Sequence, residues 1–263
     1  MESLSVKRFL GVDGKTLDLL SDSRVATLTK RNIVTKSRRS HEELDTIGGV
    51  GCALSHIAVW QWMVDQQHEL CLVFEDDAVV PVDFVPRANQ VIRSSNLLQH
   101  PTQWEMWLLG GLWDDTSSIP NETRTSGVLR IGSSVLFHAY VLTLPMAKRL
   151  LEDVYPIHSH IDMWVSIYSF LHDLRLVGTP ALRLEQNQKA KTDIQQEEGC
   201  AICNVPTDFS ATHLLVPKWK WRMGQVAGAV LAGVALYGVI QFLRRSSSPV
   251  SASPASLPPP KPM

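Results

Sequence analysis

Short uninterrupted apolar runs alternate with longer segments of helical periodicity over residues 1–200. Leu70-Cys71-Leu72-Val73-Phe74 is such a run, and it stops abruptly at Glu75-Asp76-Asp77. A run with no polar alternation predicts a strand covered on both faces, in a mostly parallel sheet. Just before it, Gly51 to Gln67 predicts a helix with Ala53, Ile57, Trp60 and Val64 on one face. Trp107-Leu108-Leu109-Gly110 predicts a second strand running into a glycine turn, and Ser134 to Leu144 a third. Pro145 then opens a helix, where its missing N–H costs nothing, with Ala147, Leu150, Leu151 and Val154 at helical spacing. Ile161 to Leu171 predicts another helix, with Ile161, Trp164, Val165 and Tyr168 on one face, and Leu174-Arg175-Leu176-Val177 a closing strand. Strands and helices in alternation predict an α/β sandwich around a mixed sheet.

The pattern changes near the C-terminus. Met223 to Leu243 carries no charge and only Gln225 and Gln241 as strongly polar residues. At about 1.5 Å per residue it would span roughly 31 Å, the thickness of a bilayer's hydrocarbon core. Lys218, Lys220 and Arg222 precede it, Arg244 and Arg245 follow it, and Trp219 and Trp221 stand at the interfacial belt. One C-terminal transmembrane helix is therefore expected. Gly224 and Gly228 have the spacing of a helix-pairing motif, which predicts self-association through that helix. The resulting organisation is a domain over 1–200, a juxtamembrane linker over 201–222, the membrane helix over 223–243 and a disordered Ser/Pro-rich tail over 244–263. Met1 to Arg8 has no apolar core of a secretory signal. The simplest topology is a single-pass C-terminal anchor, with the large domain on the cytosolic side.

Composition adds little to this picture. The 263-residue chain has a net charge of −1, so no global field draws it to nucleic acid. Cys200-Ala201-Ile202-Cys203 is a lone CxxC with no second ligand pair, too little for a structural zinc site to be expected there. Cys52 and Cys71 lie in apolar segments and read as buried thiols.

The acidic triplet carries the candidate chemistry. It follows the carboxyl end of a strand, where open α/β sheets bind ligands. Three adjacent acids repel one another, and a divalent cation such as Mg²⁺ or Mn²⁺ relieves the repulsion. On an extended segment Glu75 and Asp77 share a face and would hold the ion, while Asp76 points elsewhere, toward a ribose hydroxyl or a backbone amide. Such an ion would neutralise a departing diphosphate.

Beyond these patterns, Gly49-Val50-Gly51-Cys52-Ala53-Leu54-Ser55-His56, then Trp60, then Leu72-Val73-Phe74-Glu75-Asp76-Asp77 resembles glycosyltransferase family 25. That family includes bacterial lipopolysaccharide sugar transferases and procollagen galactosyltransferases. The resemblance extends in order through Arg8 to Gly14, Trp104 to Gly110, His138 to Leu142, Ile161-Asp162 and Thr192-Asp193-Ile194. It implies a GT-A-like fold and a metal-dependent inverting hexosyltransferase. The enzyme would move galactose or glucose from a UDP-sugar to a glycan, lipid-linked or protein hydroxyl. Glu75 and Asp77 would then bind Mn²⁺ or Mg²⁺, and Asp76, Ser55 and His56 would lie at the donor. Asp162 would be the general base that inversion requires, with His158 and His160 as nearby alternatives. Members of the family begin with an apolar strand and an Arg-bearing turn, which the residues before Arg8 do not offer. A degenerate fold serving as a membrane-anchored binding or scaffold module is the alternative. Asn121-Glu122-Thr123 is also a glycosylation sequon.

Overall fold

The computed structural model describes residues 6–36, 42–119 and 126–187, with only the backbone of 114–118. The expected membrane helix, the CxxC pair, the sequon and Thr192-Asp193-Ile194 lie outside the described residues.

Among the described residues eight strands form two sheets: β1 (Leu70–Phe74), β2 (Ala78–Val79), β3 (Met106–Leu108), β4 (Leu112–Ser118), β5 (Leu129–Val135), β6 (Ala139–Thr143), β7 (Leu176–Gly178) and β8 (Glu185–Gln186). The main sheet has the order β1-β6-β3-β7-β5-β4, and β2 pairs with β8 separately. Only β3 and β7 run parallel; every other neighbouring pair is antiparallel. The sheet is mixed, as expected, but it is far less parallel than the apolar runs suggested. Among the described residues five α-helices accompany it: α1 (Thr27–Thr35), α2 (Ile47–Asp65), α3 (Phe84–Ser94), α4 (Leu144–Asp153) and α5 (Ile161–Leu171).

Two apolar clusters cover the two faces of the sheet. The larger unites Ala53, Ile57, Trp60 and Met63 of α2 with Leu150 of α4, Val165 of α5 and Tyr140 of β6. The smaller joins Phe84, Trp104, Trp107, Val141 and Val177. Opposite faces are thus filled by alternate residues of the same strands, as with Tyr140 and Val141.

Helix α2 starts four residues earlier than its apolar spacing implied, because Thr46 caps it, accepting a hydrogen bond from the N–H of Gly49 at 3.2 Å. Its glycines are there for contact. A Cβ on Gly51 would lie 2.4 Å from the Val12 carbonyl oxygen, and one on Gly49 would lie 2.4 Å from the Leu44 side chain. These clashes outweigh glycine's poor helix propensity, since only a bare Cα lets the N-terminal segment lie against the helix. By length and composition α2 alone among the described helices could cross a membrane, yet nine of its residues are buried in the core.

Two expectations need correction. β1 is not a covered, parallel strand: it is the sheet's edge, antiparallel to β6. Cys71 and Val73 pack on the larger cluster, while Leu70, Leu72 and Phe74 are 43, 41 and 38% exposed. A continuous apolar run records two apolar faces and does not reveal whether both are covered. The expected strand from Ser134 to Leu144 is instead two strands that are not neighbours, because Leu136 turns the chain at φ 68°. The last helix falls at Ile161–Leu171, as the sequence predicts, and Pro145 stands in the first turn of α4.

Candidate active site

The C-terminal ends of β1 and β3 meet the N-terminal end of β6, since Phe74 pairs with Ala139 and Leu108 with Tyr140. The acidic triplet leaves the sheet at this edge. It does not continue as a strand. The N–H of Ala78 donates to the Glu75 carbonyl at 3.2 Å, closing a turn. The extended geometry that would put Glu75 and Asp77 on one face is therefore absent, and each acid meets a different neighbour.

Glu75 faces α2. Its Oε1 lies 2.9 Å from Nε2 of His56, whose Nδ1 lies 2.9 Å from the Tyr140 hydroxyl. Trp60 donates its indole N–H to that same hydroxyl at 2.9 Å. The proton positions follow from the partners. Tyr140 is fully buried and already accepts from Trp60, so its own proton has His56 Nδ1 as its acceptor. His56 then carries its proton on Nε2 and donates it to Glu75. Burial pushes the Tyr140 phenol well above its usual range, against the opposing pull of the Trp60 N–H, so it remains a donor.

Asp77 faces the other way, toward β8. Its Oδ2 accepts from Gln186 Nε2 at 2.8 Å, and its carbonyl accepts from the N–H of Asn187 at 2.8 Å. Its Oδ1 is buried with no hydrogen-bond partner. An orphaned carboxylate oxygen in a buried setting is what a hard, oxygen-seeking cation would satisfy, so the residues fit a divalent ion. Asp76, at the tip of the turn, is exposed.

Asp162 arrives from the first turn of α5. Its Oδ2 accepts from the N–H of Leu136 at 2.7 Å and its Oδ1 from the N–H of Met163 at 2.7 Å. It thus holds the left-handed turn between β5 and β6. The Cys52 thiol connects these acids. Burial pushes its pKa strongly upward, and the charges of Glu75, Asp162 and Asp77 add to the rise, in that order.

The remaining expected residues are placed as follows. Ser55 accepts from the N–H of Val12 at 2.8 Å and donates to the Gly51 carbonyl at 2.7 Å, tying the N-terminal segment to α2. His158 is exposed, with Nδ1 3.0 Å from the Pro156 carbonyl, and His160 is the N-cap residue of α5.

Sequence reasoning did not give Cys52, Tyr140, His138 or Gln186 a role at this site. The i, i+4 spacing of Cys52 and His56 on one helix was a usable signal. Nothing local marks Gln186, which reaches Asp77 across a separation of 109 positions. His138 is buried, with Nε2 3.0 Å from the Leu184 carbonyl, and its backbone carbonyl accepts from the N–H of Glu75 at 2.9 Å. Its ring lies over Gly110, where a Cβ would stand 2.4 Å from Nε2.

Sequence comparison gives the family. The family described as "Glycosyltransferase family 25 (LPS biosynthesis protein)" matches residues 2–165. A "Glycosyltransferase 25 family member" of Anopheles gambiae is 30% identical over 158 residues, covering 57% of this chain and 24% of its own length. "Procollagen galactosyltransferase 2" of Homo sapiens is 26% identical over 153 residues, covering 57% and 23%. "Probable inactive glycosyltransferase 25 family member 3" of Rattus norvegicus is 29% identical over 113 residues, covering 43% and 19%. The chain spans about a quarter of the length of the curated relatives it matches most extensively. The family match covers more than half of the 263 residues and includes both the Gly-Cys-Ala-Leu-Ser-His helix and the acidic triplet, so the chain belongs to glycosyltransferase family 25.

Proposed function

We propose that the chain is a metal-dependent inverting hexosyltransferase. It would move galactose or glucose from a UDP-sugar to a hydroxyl of a glycan, lipid-linked or protein acceptor. The observation that carries this reading is the acidic triplet in the turn at the end of β1, where Asp77 keeps a buried carboxylate oxygen with no hydrogen-bond partner. Glu75 and Asp77 hold Mn²⁺ or Mg²⁺, and Asp76, exposed beside them, meets the nucleotide. The bound cation would neutralise charge on the departing diphosphate. Asp162 removes the acceptor hydroxyl proton as the oxygen attacks the anomeric carbon, and UDP leaves from the opposite face. The N–H of Leu136 fixes the Asp162 carboxylate, and each of its oxygens keeps a lone pair for that proton. His56 orients Glu75, and Ser55 shapes the donor side by anchoring Val12.

UDP release by the full chain, with and without Mn²⁺, tests this reading. Manganese-dependent release that disappears in Asp77→Ala supports it. A protein that binds no UDP-sugar refutes it and favours the second reading, a degenerate transferase fold acting as a binding module. The name of the rat relative, "Probable inactive glycosyltransferase 25 family member 3", favours that second reading. In either case residues 223–243 would anchor the chain in a membrane, with the domain on the cytosolic side. Protease protection in sealed vesicles tests this placement: a cytosolic domain is digested from outside without detergent.

A further inference from the structure

Cys52, His56 and Glu75 present a thiol, an imidazole nitrogen and a carboxylate oxygen that all lie within 4.8 Å of one another. We propose that these three side chains form a binding site for a soft divalent cation, Zn²⁺ in chemical class. It differs from the oxygen-rich site of Asp77 and depends on the transferase reading only in sharing Glu75.

The donor set is the first argument. One sulfur, one imidazole nitrogen and one carboxylate oxygen match the preferences of Zn²⁺, whereas a thiol is a poor partner for Mg²⁺ or Mn²⁺. Backbone geometry supplies the second. Cys52 and His56 are one helical turn apart on α2, which packs nine of its 19 residues into the core, so two ligands are fixed before any ion arrives. The third concerns the outer partners. A metal-binding imidazole usually gives its other N–H to an acceptor, and the Tyr140 hydroxyl lies 2.9 Å from His56 Nδ1. Glu75 supplies the access route, with 24% of its side chain exposed while that of His56 is 6% exposed.

Proton balance follows from the ligand states. The Cys52 thiol loses its proton to solvent when sulfur binds the ion. His56 moves its proton from Nε2 to Nδ1, leaving the Nε2 lone pair for the metal; the Tyr140 oxygen then accepts from Nδ1–H as well as from Trp60, and its own O–H gives up its bond to His56. Glu75 exchanges its hydrogen bond from His56 for a bond to the cation. The fourth position is left to water. Glu75 can serve only one cation at a time, so Zn²⁺ here opposes the ion proposed at Asp77.

Cobalt is the probe, because Co²⁺ bound to thiolate gives a near-ultraviolet charge-transfer band. The full chain carries Cys200→Ser and Cys203→Ser to remove its other thiol pair. Titration with Co²⁺ should then produce a saturable band, with release of the thiol proton, and Zn²⁺ should displace it. Asp77→Ala should keep the band, whereas Cys52→Ser should abolish it. No band in the wild-type site, or a band that survives Cys52→Ser, overturns the proposal. X-ray absorption of the zinc-loaded protein checks the same point without altering the site. It should show a single sulfur neighbour at about 2.3 Å among nitrogen and oxygen neighbours at about 2.0 Å. A shell of nitrogen and oxygen alone overturns the assignment. Loss of manganese-dependent UDP release leaves these readouts untouched, so the two proposals fail separately.

Discussion

Tyr140→Phe removes one oxygen atom from a place with no exposed surface, and its cost can be worked from the network around it. Tyr140 and Trp60 are both 0% exposed and His56 is 5% exposed. The phenyl ring keeps its contacts with Phe137, at 5.6 Å between centroids, so little packing is lost. Two groups lose their partner: the Trp60 indole N–H and His56 Nδ1. Each orphaned buried group costs about 1–3 kcal/mol. A change of tautomer does not help His56, because an N–H on Nδ1 would equally lack a partner and Nε2 would lose its proton for Glu75. A total of about 3 kcal/mol is the reasonable expectation, and for a domain of this size that lowers Tm by about 6–12 °C. Urea unfolding followed by Trp fluorescence, alongside thermal melts, measures both quantities. A loss below about 1 kcal/mol with an unchanged m-value would refute the proton order deduced for the network. Trp60 and His56 would then have other partners, and the orientation of Glu75 would need another explanation.

Three further perturbations probe separate parts of the fold. Gly110→Ala puts a Cβ 2.4 Å from Nε2 of buried His138, so a loss of about 1–3 kcal/mol is expected in thermal melts; an unchanged Tm would mean the ring is not packed there. Asp162→Asn keeps one oxygen to accept the N–H of Leu136 but turns its NH₂ toward the N–H of Met163, so stability should fall by about 1–3 kcal/mol, while sugar transfer, if Asp162 is the base, falls by a factor of about 100–10,000. Equal loss of stability and activity would make Asp162 a purely structural residue. Tyr168 is pushed up to about 12, chiefly by burial and then by its hydrogen bond to Asp153. The folded protein thus retains this proton when the unfolded chain has released it. The contribution is fully present below pH about 10 and is lost as pH rises toward 12, so Tyr168→Phe should flatten the fall of stability in that window.

The parts of the fold legible in the sequence are those governed by local periodicity. The helix at Ile161–Leu171 has its apolar residues at helical spacing, and it forms where that spacing places it. The strand β1 was legible as a strand, but its edge position was not, because pairing depends on which distant segments arrive beside it. β5 and β6 merged into one apolar stretch because nothing about Leu136 advertises a left-handed turn; a glycine or asparagine there would have. At the site, Glu75, Asp77 and Asp162 were visible as acids beside strand and helix ends. Their partners were not. Gln186 is an ordinary polar residue in a short edge strand, and the hydroxyl of Tyr140 lies within an apolar strand whose five residues are all buried.

Those partners decide what the triplet can do. Read as an extended strand, Glu75 and Asp77 form one pair of ligands with Asp76 turned away. The turn closed by Ala78 and Glu75 separates them instead. Glu75 is drawn toward α2 by a histidine whose own orientation is set by Tyr140 and Trp60, and Asp77 is held from the opposite side by Gln186 and Asn187. Adjacent carboxylates repel, and hydrogen bonding them to opposite neighbours relieves that repulsion without an ion. Asp77 nevertheless keeps one buried oxygen with no partner, so the relief is incomplete at that position and not at Glu75. Of the three acids, Asp77 therefore has most to gain from a hard cation, and Glu75 can join it only by giving up its bond to His56. If a hard cation binds here, the cost of breaking that bond would make Glu75 its adjustable ligand, and Asp77→Ala should weaken its binding more than Glu75→Ala.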